Sequence, residues 1–156
     1  MYAQPTGHPP LDWDWVDRQL SAAGTYWVLA RSLDTPHPRP VWGVWHGGAL
    51  HLSIGSPTIT RLLQHDPGLT VHLDSGTDVV IVAATAVNGA PTDPGALEAY
   101  RSKYGQNYDT AEFGELTRAE AASVIAWRAA GWAGRDGFRQ SGKWMFDAHP
   151  DGRSRH

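Results

Sequence analysis

A chain of 156 residues with thirteen basic and sixteen acidic side chains, a net charge of -3, lacks the basic surplus that binding a phosphate backbone demands, so nucleic acid is not expected as a partner. It contains no cysteine, which excludes disulfides, zinc–thiolate sites and cysteine nucleophiles. The length suits a single domain, no apolar run reaches membrane-span length, and residues 1–10 lack a basic start followed by an apolar stretch, so a cytoplasmic protein without a membrane partner is expected.

In chain order, residues 1–10 read as a tail. The run LDWDWVDRQLSAAG (11–24) places Leu11, Trp15, Val16 and Leu20 on one side and ends in glycine, which predicts an amphipathic helix. Five runs rich in aromatic and branched residues follow, at 25–32, 40–46, 49–54, 69–74 and 78–87. Short turn-rich linkers separate them, predicting hairpins and a mainly antiparallel sheet compact enough to close into a barrel. One helix interrupts them: Ser56 suits the cap and Pro57 the first helical position. Past residue 87, Asp93 and Pro94 open a helix carrying Leu97, Tyr100 and Tyr104 on one face. The run 117–127, TRAEAASVIAW, begins with a capping-box pattern from Thr117 to Glu120 and predicts another helix. Residues 142–147 return as a strand, and 148–156 read as a second tail. The fold class expected is α+β, built on a small barrel.

No nucleophile elbow, P-loop, dinucleotide-binding glycine signature or metalloprotease helix is present. Among eight histidines, His46, His51 and His72 fall on neighbouring strands. Their spacing is not diagnostic, they read as surface or hydrogen-bonded groups, and no metal is expected. Asp12 with Asp14, and Asp66 with Asp74, are ordinary helix-start and strand-end acids. Eight tryptophans serve cores, interfaces or flat ligands. Trp42 and Trp45, three apart on one strand, point to opposite faces, and Gly43 between them leaves backbone open to close approach. The helix start at Ser56, with hydroxyls on Thr58 and Thr60 and a cation at Arg61, is either a plain cap or an anion seat.

The order of these segments resembles the pyridoxamine 5'-phosphate oxidase-like family with an FMN-binding split barrel, and within it the actinobacterial branch of flavin- and deazaflavin-dependent oxidoreductases. Matching residues include Tyr26-Trp27-Val28-Leu29-Ala30, Arg39-Pro40-Val41-Trp42-Gly43-Val44-Trp45 and Gly55-Ser56-Pro57. Further along they include Asp66-Pro67, Val71-His72-Leu73, Tyr100, Lys103-Tyr104-Gly105, Ala126-Trp127 and Lys143-Trp144-Met145-Phe146. The resemblance spans residues 12–147. It implies a six-stranded antiparallel split β-barrel with peripheral helices, paired as a homodimer with a flavin-type cofactor in each of two interface clefts. It implies ring contacts from the strand holding Pro40, Val41, Trp42, Gly43 and Val44, and phosphate contacts from Ser56, Thr58 and Arg61. Lys143 and Trp144 are implied contributions from the partner's last strand.

Two stretches depart from the family pattern. Thr58 and Ile59 stand where a basic pair is usual, which removes two charge-assisted phosphate contacts of roughly 1.5 to 3 kcal/mol each. A proline-rich DTPHPRP replaces the usual hairpin turn. The function implied is hydride transfer between an F-420 or FMN type cofactor, F-420 slightly preferred, and a small unsaturated substrate, without a catalytic side chain. The alternatives are a non-catalytic binding module for a cofactor, a haem-like tetrapyrrole or a small metabolite, and a barrel repurposed in a biosynthetic pathway.

Overall fold

Asp12 accepts a hydrogen bond from the Asp14 N–H and opens helix α1 (Trp13–Ala22), which buries Trp15, Val16 and Leu20 together with the preceding Leu11. The structure, a computed structural model, describes residues 1–6, 9–31, 34–129 and 138–147. A short β1 (Tyr2–Gln4) precedes α1. After α1 come β2 (Tyr26–Ala30), β3 (His37–His46), β4 (Ala49–Ser53), α2 (Pro57–His65), β5 (Gly68–His72) and β6 (Asp78–Ala86). The chain continues through α3 (Pro94–Tyr104), α4 (Thr110–Phe113), β7 (Thr117–Ala129) and β8 (Phe138–Met145). Among the described residues no helix is long and apolar enough to cross a membrane.

The paired strands run antiparallel in the order β7-β4-β3-β2-β5-β6, and a further β6–β7 pairing closes a six-stranded barrel. The split lies in β7. One of its edges pairs with β6; the other meets β4 from Thr117 to Glu120 and then β8 from Ser123 to Ala129. β1 adds to the outer edge of β8, through Tyr2 opposite Met145 and Gln4 opposite Lys143. The expected α+β six-stranded split barrel with peripheral helices is therefore present, with β1 and β8 outside the closed ring. Alternation fills the interior: Tyr26 and Val28 of β2, Leu50 and Leu52 of β4, and Val80 and Val82 of β6 are almost fully buried.

Two expectations are corrected. Residues 117–127 are strand, not helix. The spacing of their buried small residues explains both the error and the outcome: Ala119 and Ala121 face inward, then Val124 and Ala126, with one extra residue between the pairs. That extra residue is a bulge, visible as a register shift where Ala83 faces Ser123 and Ala84 faces Ala121. It breaks the two-residue period in the sequence. An alanine-rich run behind a capping-box pattern then imitates a helix, but pairing with β6, β4 and β8 outweighs local propensity. The second correction is at the N-terminus, where residues 2–4 of the expected tail are a paired strand and Pro10 bridges Ser141. The expected tail 148–156 lies outside the described residues.

A second, smaller apolar cluster sits outside the barrel. There Ala96 and Tyr100 of α3 pack with Val44 of β3, Tyr108 and Leu116, covering the outward face of the β3–β4 hairpin. Asp93 caps α3 through the Ala96 N–H at 2.8 Å, and Gly105, with φ of 62°, ends it in the left-handed conformation.

Candidate functional site

The strand expected to carry ring contacts is split between two environments. Val41, Gly43 and Val44 are buried, whereas Pro40 is exposed and Trp42 is 43% exposed. Trp45, on the opposite face from Trp42, packs against the barrel core beside Trp13, and its indole N–H donates to Asp17 at 2.7 Å. The two tryptophans thus divide as alternation requires, one toward the core and one outward.

β2 begins at Tyr26, opposite Val41, so the edge of β3 beyond Val41 has no strand beside it on that side. The last turn of α3 takes the place of the missing strand. The Gly43 N–H donates to the Tyr104 hydroxyl at 3.0 Å, and that hydroxyl's single hydrogen serves the carbonyl of Gly43 at 2.9 Å or of Gly24 at 3.0 Å. Lys103 Nζ donates to the Gly43 carbonyl at 3.0 Å and to the Tyr26 hydroxyl at 3.1 Å, and the Tyr26 hydroxyl in turn donates to the Leu20 carbonyl. The hydrogen-bonding groups of Gly43 are therefore already engaged. Burial lowers the Lys103 pKa to about 8 and raises those of Tyr26 and Tyr104. Outside this latch the Trp42 and Tyr104 rings are stacked, centroids 4.7 Å apart and planes 3° from parallel.

At the start of α2 the capping reading holds in detail. Ser56 Oγ accepts from the Ile59 N–H, the Ser56 carbonyl accepts from the Thr60 N–H and hydroxyl, and Pro57 has no N–H to offer. Of the first-turn donors, the Thr58 N–H alone is unclaimed among the described residues. Ile59 is fully buried in the barrel core, so that position is closed to a phosphate. Thr58 is half-buried; Arg61 is exposed and has no hydrogen-bond or ion-pair partner among the described residues. Lys143 is half-buried on β8, while Trp144 is only 4% exposed and packs edge-on against Trp13 at 5.3 Å.

His46 and His51 come together, their rings 6.2 Å apart and edge to face, while His72 packs elsewhere. His72 stacks on Trp27, and its Nδ1 lies 2.9 Å from the Leu73 carbonyl oxygen. His46 Nε2 sits 3.6 Å from the α3 cap Asp93. His51 is 3% exposed, its Nδ1 has no partner among the described residues, and burial lowers its pKa. Among the described residues no three His, Asp or Glu side chains form a metal-holding group. Of the aspartates singled out, Asp12 caps α1 by accepting from the Asp14 N–H, Asp66 accepts from the Gly68 N–H, and Asp74 accepts from the Trp27 indole N–H. The sequence reading missed Lys103 and Tyr104 as site residues, because their partner Gly43 lies 60 and 61 positions away. Concavities of about 400, 190 and 590 Å³ lie elsewhere, the largest beside Gly47, Arg118, Glu120 and Phe146.

No family model and no curated protein matches this sequence. Solved structures do match its fold. An assigned pyridoxamine 5'-phosphate oxidase from Listeria innocua aligns with a TM-score of 0.57 at 16% identity, over 74% of this chain and 98% of that one. An FAD-binding protein from Mesorhizobium loti aligns with a TM-score of 0.57 at 12% identity, over 85% and 93%. An F-420 reductase aligns with a TM-score of 0.54 at 14% identity, over 78% and 98%. The chain has the split-barrel fold of the pyridoxamine 5'-phosphate oxidase-like proteins.

Proposed function

We propose that this chain binds a flavin-type cofactor along the outward side of β3 and acts as an oxidoreductase on a small unsaturated substrate. The observation that carries the reading is the stacked Trp42–Tyr104 pair, a flat aromatic wall left exposed on the strand where the resemblance expects the ring. The donor set fits such a cofactor. The aromatic wall suits a planar ring, while Arg61, the Thr58 N–H and the positive end of α2 suit a phosphate. Names among the fold neighbours, an FAD-binding protein and an F-420 reductase, support the same cofactor class.

When bound, the cofactor supplies the hydride chemistry; the chain binds, orients and excludes water. One cation and one free N–H make a weak phosphate grip. This favours F-420, arriving and leaving as a co-substrate, over a permanently held FMN. We further propose that a second copy closes the cleft, with Lys143 as the contribution of its β8, and that the protein works in the cytoplasm. Trp144 has no part in that role, since its ring is committed to its own core.

The test is to titrate purified protein with F-420 and with FMN, following cofactor fluorescence, and then to look for hydride turnover. Micromolar binding that Arg61→Ala weakens about tenfold, one charge-assisted contact, supports the reading. Failure to bind either cofactor removes it. A second reading, a non-catalytic binder, draws on the self-capped start of α2; binding without turnover would select it.

A further inference from the structure

Lys103 is a half-buried cation whose partners are all neutral: the Gly43 carbonyl and the Tyr26 hydroxyl as acceptors, with the Tyr26 and Tyr104 rings 4.8 and 5.4 Å from Nζ. Among the described residues it forms no ion pair, and the lowering of its pKa has burial as its only cause, with no neighbouring carboxylate to offset it. Partial burial of an unpaired ammonium carries a desolvation cost that a neutral donor at the same place would avoid. Holding the edge of β3 requires only a hydrogen-bond donor, which a neutral side chain would supply as well as an ammonium. An ammonium has three donor hydrogens; two are used, and the third has no acceptor among the described residues. This spare donor lies beside the Gly43 carbonyl, next in the chain to exposed Trp42.

From this cluster we propose that Lys103 is an anion-recognising group, which together with the Trp42–Tyr104 wall selects planar, unsaturated ligands that carry a carboxylate. The ligand class follows from the two halves of the site: a flat wall for a conjugated framework and an unbalanced positive charge for its anionic end. The proposal goes beyond the oxidoreductase reading: a ligand on this wall competes with the cofactor ring rather than joining it as substrate.

The chain has just two lysines, Lys103 and Lys143, so protein grown with isotope-labelled lysine gives two side-chain Cε signals that NMR separates, assigned with Lys103→Gln. The probes are trans-cinnamate and its neutral counterpart cinnamamide. The expected result is a saturable shift of the Lys103 signal with cinnamate, little movement of Lys143 and no comparable shift with the amide. Lys103→Gln should bind cinnamate at least about tenfold more weakly, and Lys103→Arg should keep the preference for the acid. A static Lys103 signal, equal responses to acid and amide, or unchanged affinity in Lys103→Gln overturns the proposal. Should Lys103→Gln not fold, the acid-versus-amide comparison on the wild-type chain decides. Cofactor titration scores the oxidoreductase reading separately. A Lys103 response without cofactor binding keeps the anion site and removes that reading, and the reverse pattern removes the anion site alone.

Discussion

The Tyr104 hydroxyl meets both backbone hydrogen-bonding groups of Gly43, accepting from its N–H at 3.0 Å and lying 2.9 Å from its carbonyl oxygen. One side chain of a peripheral helix thus stands in for a barrel strand where β2 stops short. Tyr104→Phe keeps the stack on Trp42 and leaves the Gly43 N–H without its partner. A loss of about 1–2 kcal/mol in urea unfolding is expected, with more for Tyr104→Leu, which also removes the stacked ring.

Lys103 makes stability depend on pH on the alkaline side. Its folded pKa is about 8, below the ordinary value of 10.5, so between those values the unfolded chain holds more protons than the folded one. Stability from this group therefore rises from pH 8 to about 10.5 and is lost as pH falls back through 8. Urea unfolding across that range should show the slope for the wild type and a smaller one for Lys103→Met.

His51 acts in the same sense at lower pH. Burial holds its pKa below the usual 6.5, so acidification protonates the unfolded chain first and stability falls as pH drops below about 6.5. Thermal unfolding between pH 7 and 5 should show that decline, and His51→Gln should reduce its slope.

Gly43 is required for space as well as for hydrogen bonding. A Cβ there would lie 2.8 Å from the His51 carbonyl oxygen and from Leu52 Cδ2, and a backbone atom of a paired strand cannot yield cheaply. Gly43→Ala is expected to cost about 1–3 kcal/mol in denaturant unfolding.

Ser56 caps the helix, its hydroxyl accepting the Ile59 N–H while keeping its own hydrogen to donate. Ser56→Ala should lower stability by about 1 kcal/mol and change cofactor affinity far less than Arg61→Ala does. Equal losses of affinity from both substitutions would return Ser56 to the phosphate seat.

Local chemistry was legible in the sequence wherever the cause lay within a few residues. Ser56 and Asp93 cap the helices they were expected to cap, because each partner N–H lies three positions ahead. Alternation sent Trp42 and Trp45 to opposite faces for the same reason. The barrel was readable from closely spaced apolar runs joined by turns, and the order of those runs carried the resemblance to split barrels.

Tertiary structure alone decided the rest. The run 117–127 carries helix-like local signals, and three neighbouring strands with a one-residue bulge make it β7. Ile59, read as a missing phosphate contact, is a core residue because α2 turns it into the barrel. The latch of Lys103 and Tyr104 on Gly43 has no local signature at all. It depends on β2 ending opposite Val41, on α3 packing over the β3–β4 hairpin, and on contacts spanning some 60 residues.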